Sequence, residues 1–253
     1  MVKLIELGSK IAKNGFKNEK DVVNKFNNWK NDEDAQKWLL IMGYSEISNI
    51  DEVKALVLRG YKTDVSVLIL IKSKEKYQIE NIQVKLVSNK KGFNQIDKRW
   101  LCNYKKIWNI PENVYKLFAY FTGELKPYKS NTKDNKRMFI YEFTINEQNE
   151  LLNWIDKNKE NIVDFIFKGE GEYKSNWFLV AQKINDNAKW MFLNIDVVIN
   201  FYYDNKQVTI SPKGSLKIGK ITIQRKGGDR GKNTANMLQF KINPAELFGL
   251  MII

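Results

Sequence analysis

The residue types best suited to chemistry lie on two neighbouring predicted strands. Asp64 precedes an apolar run, and after eighteen intervening residues the sequence reads Gln83-Val84-Lys85. Residues 83 and 85 are two apart, so on a strand both side chains point to the same face. If Asp64 lies in register on the neighbouring strand, a carboxylate, an amide oxygen and an ammonium converge at one end of a sheet.

A group of this composition is suited to hydrolysis of a phosphodiester bond. Oxygen ligands hold a hard cation such as Mg²⁺, and an ammonium beside them can orient or deprotonate the attacking water and stabilise the negatively charged transition state. The same spacing also fits an ordinary half-exposed strand, on which Lys85 faces solvent and Gln83 is its polar neighbour. The spacing by itself leaves both interpretations open.

The composition excludes several other chemistries. The 253 residues contain no histidine, which excludes Ser-His-Asp triads, Cys-His pairs, Cys₂His₂ zinc fingers and nucleases with an imidazole base. The single cysteine, Cys102, cannot form an intrachain disulfide or a thiolate zinc site alone, and we expect it to be a small buried residue on a helix. The catalytic groups that the composition leaves possible are carboxylates, amides, lysines and a bound cation.

The formal net charge of +13 favours a polyanionic partner, and nucleic acid is the first candidate. A lysine-rich proteome would raise the charge in the same way, so composition alone does not decide. The longest apolar run, 65–71, is short and contains Ser66, and charged residues interrupt the apolar positions at the start of the chain. We therefore expect no membrane span, no secretory signal and a location in the cytoplasm.

Hydrophobic spacing predicts the elements that position these residues. Helical spacing predicts helices over 14–30, 32–42, 95–108, 111–121, 145–157 and 195–202, with a capping box of Thr144 and Glu147 before the fifth. Apolar and alternating runs predict strands over 54–58, 63–72, 81–88, 177–184, 208–211, 215–218, 221–226 and 236–242. A polar turn is predicted over 73–77, and an exposed loop over 124–137.

These elements predict an α/β fold, with a mixed sheet flanked by helices, the site at the edge of that sheet, and a β-rich C-terminal region. No internal repeat or linker divides the chain. We predict that 1–168 form an α/β core with helical insertions and that 169–253 form the β-rich region, although one continuous domain also fits the sequence.

Longer motifs carry a resemblance to a known family. Thr63-Asp64 with Gln83-Val84-Lys85 resembles the active-site pattern of the PD-(D/E)XK nuclease superfamily. Four blocks resemble the type II restriction enzymes that cut after the first G of GCGC: ELGSKIAKNGFKNEKD (6–21), NIQVKLVSNKKGFNQIDKRW (81–100), FTGELKPYKSNTKDNKRMF (121–139) and ITIQRKGGDRGKNTANMLQFKINPAELF (221–248). The resemblance spans almost the whole chain and implies Mg²⁺-dependent cleavage of double-stranded DNA at GCGC with 5′ overhangs.

The resemblance also implies roles for individual residues. Asp64 and Gln83 would hold the Mg²⁺, and Lys85 would position or deprotonate the water. The superfamily has an acid where this chain has Gln83, and the lost charge should weaken Mg²⁺ binding, although the GCGC-cutting branch itself resembles this chain in having Gln there. Thr63 replaces a serine of that branch and keeps the hydroxyl. Glu19, on the first predicted helix, would supply a further carboxylate unless it is a solvated surface residue.

Two loops are candidates for contact with DNA. The first, 88–95, mixes amides, cations and an aromatic, and the resemblance implies that Phe93 wedges into the base stack and bends the duplex. Asn94 would contact DNA beside it. Gln95 and Lys98, at the start of the following predicted helix and a turn along it, would read bases. The alternative for Phe93 is that it folds back onto the core.

The second candidate loop leaves a predicted strand and is rich in glycine and in donors that suit guanine O6 and N7. Its candidate DNA-binding residues are Gln224, Arg225, Lys226 and Arg230. An ordinary exposed turn is the alternative. The basic segment 126–137 is expected to contact only phosphates.

Two other functions stay open from the sequence. One is a DNA- or RNA-binding module with a catalytically dead metal site, and the other is a structure-specific repair nuclease of the same fold. The oligomeric state is also open, because a monomer acting on each strand in turn and a symmetric homodimer can both cut a palindrome.

Overall fold

The computed structural model describes residues 2–71, 77–89, 92–184, 187–228 and 232–252. Within these ranges the chain forms two five-stranded sheets accompanied by α-helices. The predicted α/β class, with a mixed sheet and flanking helices, is therefore confirmed. None of the helices in these ranges is long and apolar enough to cross a membrane.

The helices and strands have the following bounds. The α-helices are α1 (Val2–Asn27), α2 (Glu33–Ile41), α3 (Leu101–Trp108), α4 (Glu112–Thr122), α5 (Ile145–Lys168) and α6 (Ile195–Tyr202). The strands are β1 (Ile50–Val57), β2 (Val65–Ile71), β3 (Tyr77–Val87), β4 (Asn94–Arg99), β5 (Trp177–Ile184), β6 (Asn187–Asn194), β7 (Val208–Ile210), β8 (Leu216–Ile218), β9 (Ile221–Arg225) and β10 (Leu238–Ile242). Short 3₁₀ helices include Trp29–Asn31, Ile47–Asn49, Ile140–Glu142, Gly171–Tyr173, Asp204–Lys206, Asn233–Asn236 and Pro244–Ile252.

The chain divides into two compact units, each assembled from separate stretches. The first unit comprises Met1–Gly92, Lys168–Val198 and Asn243–Ile253, and the second comprises Phe93–Phe167 and Ile199–Ile242. The segments expected from the sequence, 1–168 and 169–253, each contribute to both units, so neither forms a unit by itself. The physical reason is long-range strand pairing, since β3 pairs with β5 and β4 pairs with β10.

The sheet of the first unit has the strand order β1-β2-β3-β5-β6. Its neighbouring strands are antiparallel except β3 and β5, which are parallel. The interior strand β2 is buried along most of its length, which explains why it reads as a nearly continuous apolar run. Helices α1 and α2 pack against this sheet, and together they form the core of the first unit. The core includes Val22, Phe26, Trp38, Leu39, Val65, Val67, Ile69, Ile82, Leu179 and Phe192.

The sheet of the second unit is antiparallel throughout, with the order β4-β10-β9-β8-β7. One face is apolar and buried, and it carries Leu216, Ile218, Ile221, Ile223, Leu238 and Phe240. Helix α3 covers part of this face, because the rings of Tyr104 and Trp108 each lie edge-on to Phe240. Strands β7 to β10 supply the β-rich C-terminal region that the sequence predicts.

The predicted helix over 95–108 is wrong in its first half. Residues 94–99 form strand β4, which pairs with β10, and the helix begins only at Leu101. The apolar spacing of Ile96, Leu101 and Tyr104 resembles a helical face, but pairing with a strand about 140 residues away decides the local structure. Strand β6 was not predicted, and it forms by antiparallel pairing with β5. The predicted turn over 73–77 lies mostly outside the described residues.

Several local predictions are confirmed. Strand β5 and helix α6 have the predicted bounds. At the start of α5, Glu147 N donates to Thr144 Oγ1 and Thr144 N donates to a Glu147 carboxylate oxygen, which is the predicted capping box. Cys102 lies on a helix as expected, but it is exposed rather than buried. The buried side of that helix is formed instead by Leu101 and Tyr104.

Candidate active site

The pairing of β2 with β3 brings the candidate catalytic residues together in the first unit. Val65 pairs with Ile82 in this antiparallel ladder, so the preceding Asp64 comes opposite Gln83. The extended backbone of Asp64 is fixed on both sides, since its N–H donates to Ile82 O and its carbonyl accepts from Leu58 N. The ladder thus sets the position of Asp64 although it precedes the first residue of β2.

The carboxylate of Asp64 and the ammonium of Lys85 are neighbours. Asp64 Oδ2 accepts a hydrogen bond from Val84 N at 2.7 Å and lies 3.8 Å from Lys85 Nζ. The side chains are 25% and 15% exposed, respectively. This placement leaves the carboxylate partly open to a ligand and removes most of the ammonium from water, which strengthens its interaction with negative charge.

Gln83 is buried, with 1% of its surface exposed, and its Oε1 atom has no hydrogen-bond partner among the described residues. A buried carbonyl oxygen without a partner costs about 1–3 kcal/mol. A hard cation would satisfy it, because amide carbonyl and carboxylate oxygens are the ligand types that Mg²⁺ and Ca²⁺ take in proteins. Gln83 and Asp64 therefore fit a divalent cation.

Glu19 lies close enough to this pair to respond to its charges. The pKa of Glu19 is raised to about 7, mainly by burial and secondly by the negative charge of Asp64. The positive charges of Lys85 and Arg59 lower this pKa by smaller amounts. The structure therefore places Glu19 beside the other site residues and not on a fully solvated surface. Among the described residues no cluster of three or more acidic, histidine or cysteine side chains could hold a metal ion.

Helix α1 is anchored at two points that fix the position of Glu19. Asp21 Oδ2 accepts from Lys183 Nζ of β5 at 2.7 Å. At the end of the helix, the amide of Asn27 caps the backbone of β1, accepting from Ala55 N at 2.7 Å and donating to Ala55 O at 3.3 Å. These contacts tie α1 to both sides of the strand pair that carries Asp64 and Lys85.

The structure does not bring the hydroxyl of Thr63 to these residues. Thr63 is buried, and its Oγ1 donates to Tyr173 O at 2.7 Å and lies 3.1 Å from Ser175 Oγ. Adjacent residues of an extended chain point in opposite directions, so the neighbour of Asp64 faces away from it. Thr63 fastens the start of β2 to the segment before β5. Arg59, which the sequence did not single out, acts electrostatically on Glu19, and only its basic character could have indicated this.

The first group of candidate DNA contacts begins the second unit. Phe93 is 60% exposed and does not fold onto the core. Gln95 and Lys98 lie on β4 and not on a helix, which corrects their predicted setting. Asn94 begins the same strand and is half-buried. Gln95 is exposed, and its Oε1 accepts from Gln239 Nε2 of β10 at 3.0 Å.

The second group lies at the end of β9. Arg225 donates from Nε and Nη2 to Asn236 Oδ1 at 3.1 and 2.7 Å, and Asn236 Nδ2 in turn donates to Gly123 O at 2.8 Å. This arrangement orients the guanidinium group. Gln224 and Lys226 flank Arg225, and both are half-buried. The candidate Arg230 lies outside the described residues.

Comparisons with known proteins agree with this architecture. A family model described as R.HinP1I restriction endonuclease matches residues 42–248. Among solved structures, the chain is similar to restriction endonuclease MspI in complex with its cognate DNA, with 13% sequence identity, a TM-score of 0.65, and coverage of 94% of this chain and 92% of that chain. At this identity the likeness shows a shared fold. The comparison with curated proteins found no match.

Proposed function

Because the chain belongs to the R.HinP1I restriction endonuclease family and is a type II restriction endonuclease, we propose that it cuts double-stranded DNA at GCGC by Mg²⁺-dependent hydrolysis. The observation that carries the catalytic part is the convergence of Asp64, Gln83 and Lys85 on the paired strands β2 and β3. The four-base target is supported by the long sequence blocks that resemble GCGC-cutting enzymes.

The cation would be held by the carboxylate of Asp64 and the buried carbonyl of Gln83, with the carboxylate of Glu19 beside them. A bound Mg²⁺ would supply Lewis acidity toward the scissile phosphate and would lower the pKa of a water molecule. The hydrogen bond from Val84 N holds Asp64 in one orientation, so the carboxylate needs little rearrangement to bind a ligand.

Lys85 would act on the attacking water and on the phosphate. Its ammonium is mostly buried beside Asp64, where it can orient the attacking water and stabilise the negative charge that develops in the transition state. To act as the general base instead, it would first have to release its own proton to solvent. An arrangement of this kind binds the transition state more strongly than the ground state, as catalysis requires.

Recognition would be performed by the second unit. Exposed Gln95 and half-buried Lys98 offer donors from β4, while Arg225 offers an oriented guanidinium group from β9. Such donors suit guanine O6 and N7, which are abundant in a GCGC target. The exposed ring of Phe93 is available to wedge between bases. The complex of MspI with its cognate DNA supports DNA as the ligand.

Mapping the cut positions tests this proposal most directly. The purified protein is incubated with a sequenced linear DNA, with Mg²⁺ or with EDTA, and the fragment ends are sequenced. We expect discrete fragments whose ends lie after the first G of GCGC, and no cleavage with EDTA. Retarded but intact DNA would instead support a binding module, and smears or nicks at junctions would support a structure-specific nuclease.

The amide at position 83 gives a prediction about metal dependence. We expect Gln83→Glu to lower the Mg²⁺ concentration for half-maximal cleavage by on the order of tenfold, because it restores one negative charge to the cation site. Without Mg²⁺ the variant should unfold at a lower temperature than wild type, since the added carboxylate is buried. A Mg²⁺ titration of the cleavage rate, together with thermal unfolding, measures both effects.

Gln78→Glu is the matched control, because it adds the same charge to the same strand. Gln78 Oε1 lies 2.8 Å from the hydroxyl of Tyr44, which also lies 2.9 Å from Glu80 Oε1. A glutamate at position 78 keeps an acceptor there and adds repulsion with Glu80, so its unfolding temperature should fall as well. Its Mg²⁺ requirement should equal that of wild type. An unchanged Mg²⁺ requirement for Gln83→Glu would argue against Gln83 as a ligand.

A further inference from the structure

The second sheet has a polar face opposite its apolar one. Directly opposed residues of antiparallel strands share a face, and the register therefore groups six polar side chains on β4, β10 and β9. They are Gln95, Lys98, Gln239, Lys241, Gln224 and Thr222, and the pairing of Thr222 with Lys217 extends the face onto β8. This surface is made of amides, lysines and a hydroxyl, and it contains no acidic residue at these positions.

A bulge in β4 gives this face its composition. Gln95 and Lys98 are three residues apart, a spacing that would direct them to opposite faces of a regular strand. The register with β10 shifts between Phe240 and Lys241, so that Ile96 is an extra residue on β4. Gln95 consequently comes opposite Lys241 while Lys98 comes opposite Gln239, and both side chains share the polar face.

Lys241 occupies the middle of this face without a carboxylate partner. It is half-buried between Gln95 of β4 and Thr222 of β9. Burial alone lowers the pKa of Lys241, with no contribution from a charged group, and it forms no ion pair with any described residue. A partly dehydrated ammonium without an acceptor is unfavourable, so a ligand that supplies an acceptor would stabilise it.

The neighbouring amides present a matching donor. Gln239 is 5% exposed, and its Nε2 donates to Gln95 Oε1 at 3.0 Å. This hydrogen bond engages the carbonyl of Gln95, so the NH₂ group of the same amide is the donor that Gln95 can offer to a ligand. Lys241 lies directly across from Gln95, so the two residues offer adjacent donors. The major-groove edge of guanine carries two adjacent acceptors, O6 and N7.

We propose that Lys241 is a specificity-determining residue that donates to a guanine of the target beside Gln95, with Gln239 as the residue that positions Gln95. The inference rests on the proposed function, because it assumes that the second unit reads the bases of a DNA target. A guanine edge fits the position beside Lys241 and Gln95 better than a phosphate does, because the hydrogen bond from Gln239 holds the amide of Gln95 in one orientation.

Binding of Lys241→Met to short duplexes tests the proposal. Fluorescence anisotropy in EDTA, which prevents cleavage, measures the affinities of the full-length protein for a GCGC duplex and for a duplex without that sequence. We expect the variant to bind the GCGC duplex about ten- to a hundredfold more weakly, the size of one lost base contact, and to bind the other duplex within about twofold of wild type. Duplexes with single base-pair changes should show that discrimination is lost at one G·C pair and kept at the others.

Lys157→Met is the matched control, because it removes the same charge from an exposed position of α5. It should leave the ratio of the two affinities unchanged. Thermal unfolding shows whether Lys241→Met is folded, and the smaller Lys241→Ala, which also lacks a donor, should show the same loss of discrimination.

Two results would overturn the proposal. Equal weakening on both duplexes would make Lys241 a phosphate contact, and unchanged affinity for both would make it no contact at all. Failure of the proposed function is distinguishable, because it appears in the wild-type protein. A wild-type affinity ratio near one contradicts the GCGC target and this inference with it, whereas a high wild-type ratio that Lys241→Met retains contradicts only the role of Lys241.

Discussion

Lys85→Ala is expected to lower the rate of DNA cleavage by about 10³- to 10⁴-fold, while the affinity for duplex DNA should stay close to that of wild type. The ammonium lies 3.8 Å from the carboxylate of Asp64, and the Lys85 side chain is 15% exposed, so its charge acts in a partly dehydrated site and interacts with negative charge more strongly than it would in water. Single-turnover cleavage with saturating protein separates the chemical step from binding, and anisotropy in EDTA measures binding alone.

The matched control for this variant is Lys37→Ala. Lys37 lies on α2 in the same unit, and its side chain is 67% exposed with only a 3.9 Å ion pair to Glu33. Such a surface pair contributes little to stability, so cleavage and unfolding temperature should both match wild type. Comparable cleavage rates for Lys85→Ala and Lys37→Ala would remove Lys85 from the reaction.

Part of the candidate site could be predicted from the sequence, because the shared face of two residues on a strand follows from strand geometry. The separation of Gln83 and Lys85 by one residue fixes their common face, and the apolar run after Asp64 identifies the adjacent strand. The register that brings Asp64 opposite Gln83 is not written in the spacing. It depends on Val65 meeting Ile82, which the core of the first unit selects because both side chains are fully buried there.

The setting of Gln95 and Lys98 could not be obtained in the same way. Local spacing around Ile96 and Leu101 favours a helix, and only the distant strand β10 turns residues 94–99 into a strand. The bulge that places both candidates on one face is likewise a property of the pair of strands. Lys241 was overlooked for the same reason, because its proximity to Gln95 exists only in the folded sheet.

Thr63 shows the opposite error, in which a sequence resemblance suggests more than the geometry provides. The hydroxyl is present, as the resemblance implies, but its hydrogen bonds to the Tyr173 carbonyl and the Ser175 hydroxyl direct it away from Asp64. Strand alternation already argues that neighbours such as Thr63 and Asp64 face opposite sides. Periodicity is therefore a useful check on any role assigned to consecutive residues.

Asp64→Asn should reduce cleavage below detection, which corresponds to a loss of at least about 10⁴-fold, because the proposed cation site then loses the carboxylate opposite Gln83. The fold should be preserved. Asparagine has nearly the same volume, and its Oδ1 can still accept the 2.7 Å hydrogen bond from Val84 N. Calorimetric titration with Mg²⁺ or Mn²⁺ provides a readout that does not depend on activity, and we expect the binding heat of wild type to disappear in the variant.

Asp34→Asn is the corresponding control for charge removal in the first unit. Asp34 lies 2.8 Å from Lys25 at the start of α2, so its loss affects a local ion pair and leaves the strand ladder intact. This variant should keep full cleavage and full cation binding, with at most a small decrease in unfolding temperature. If Asp64→Asn bound the cation as wild type does, the cation would have to be held elsewhere, since Asp64 is the carboxylate that β2 and β3 jointly place beside Gln83 and Lys85.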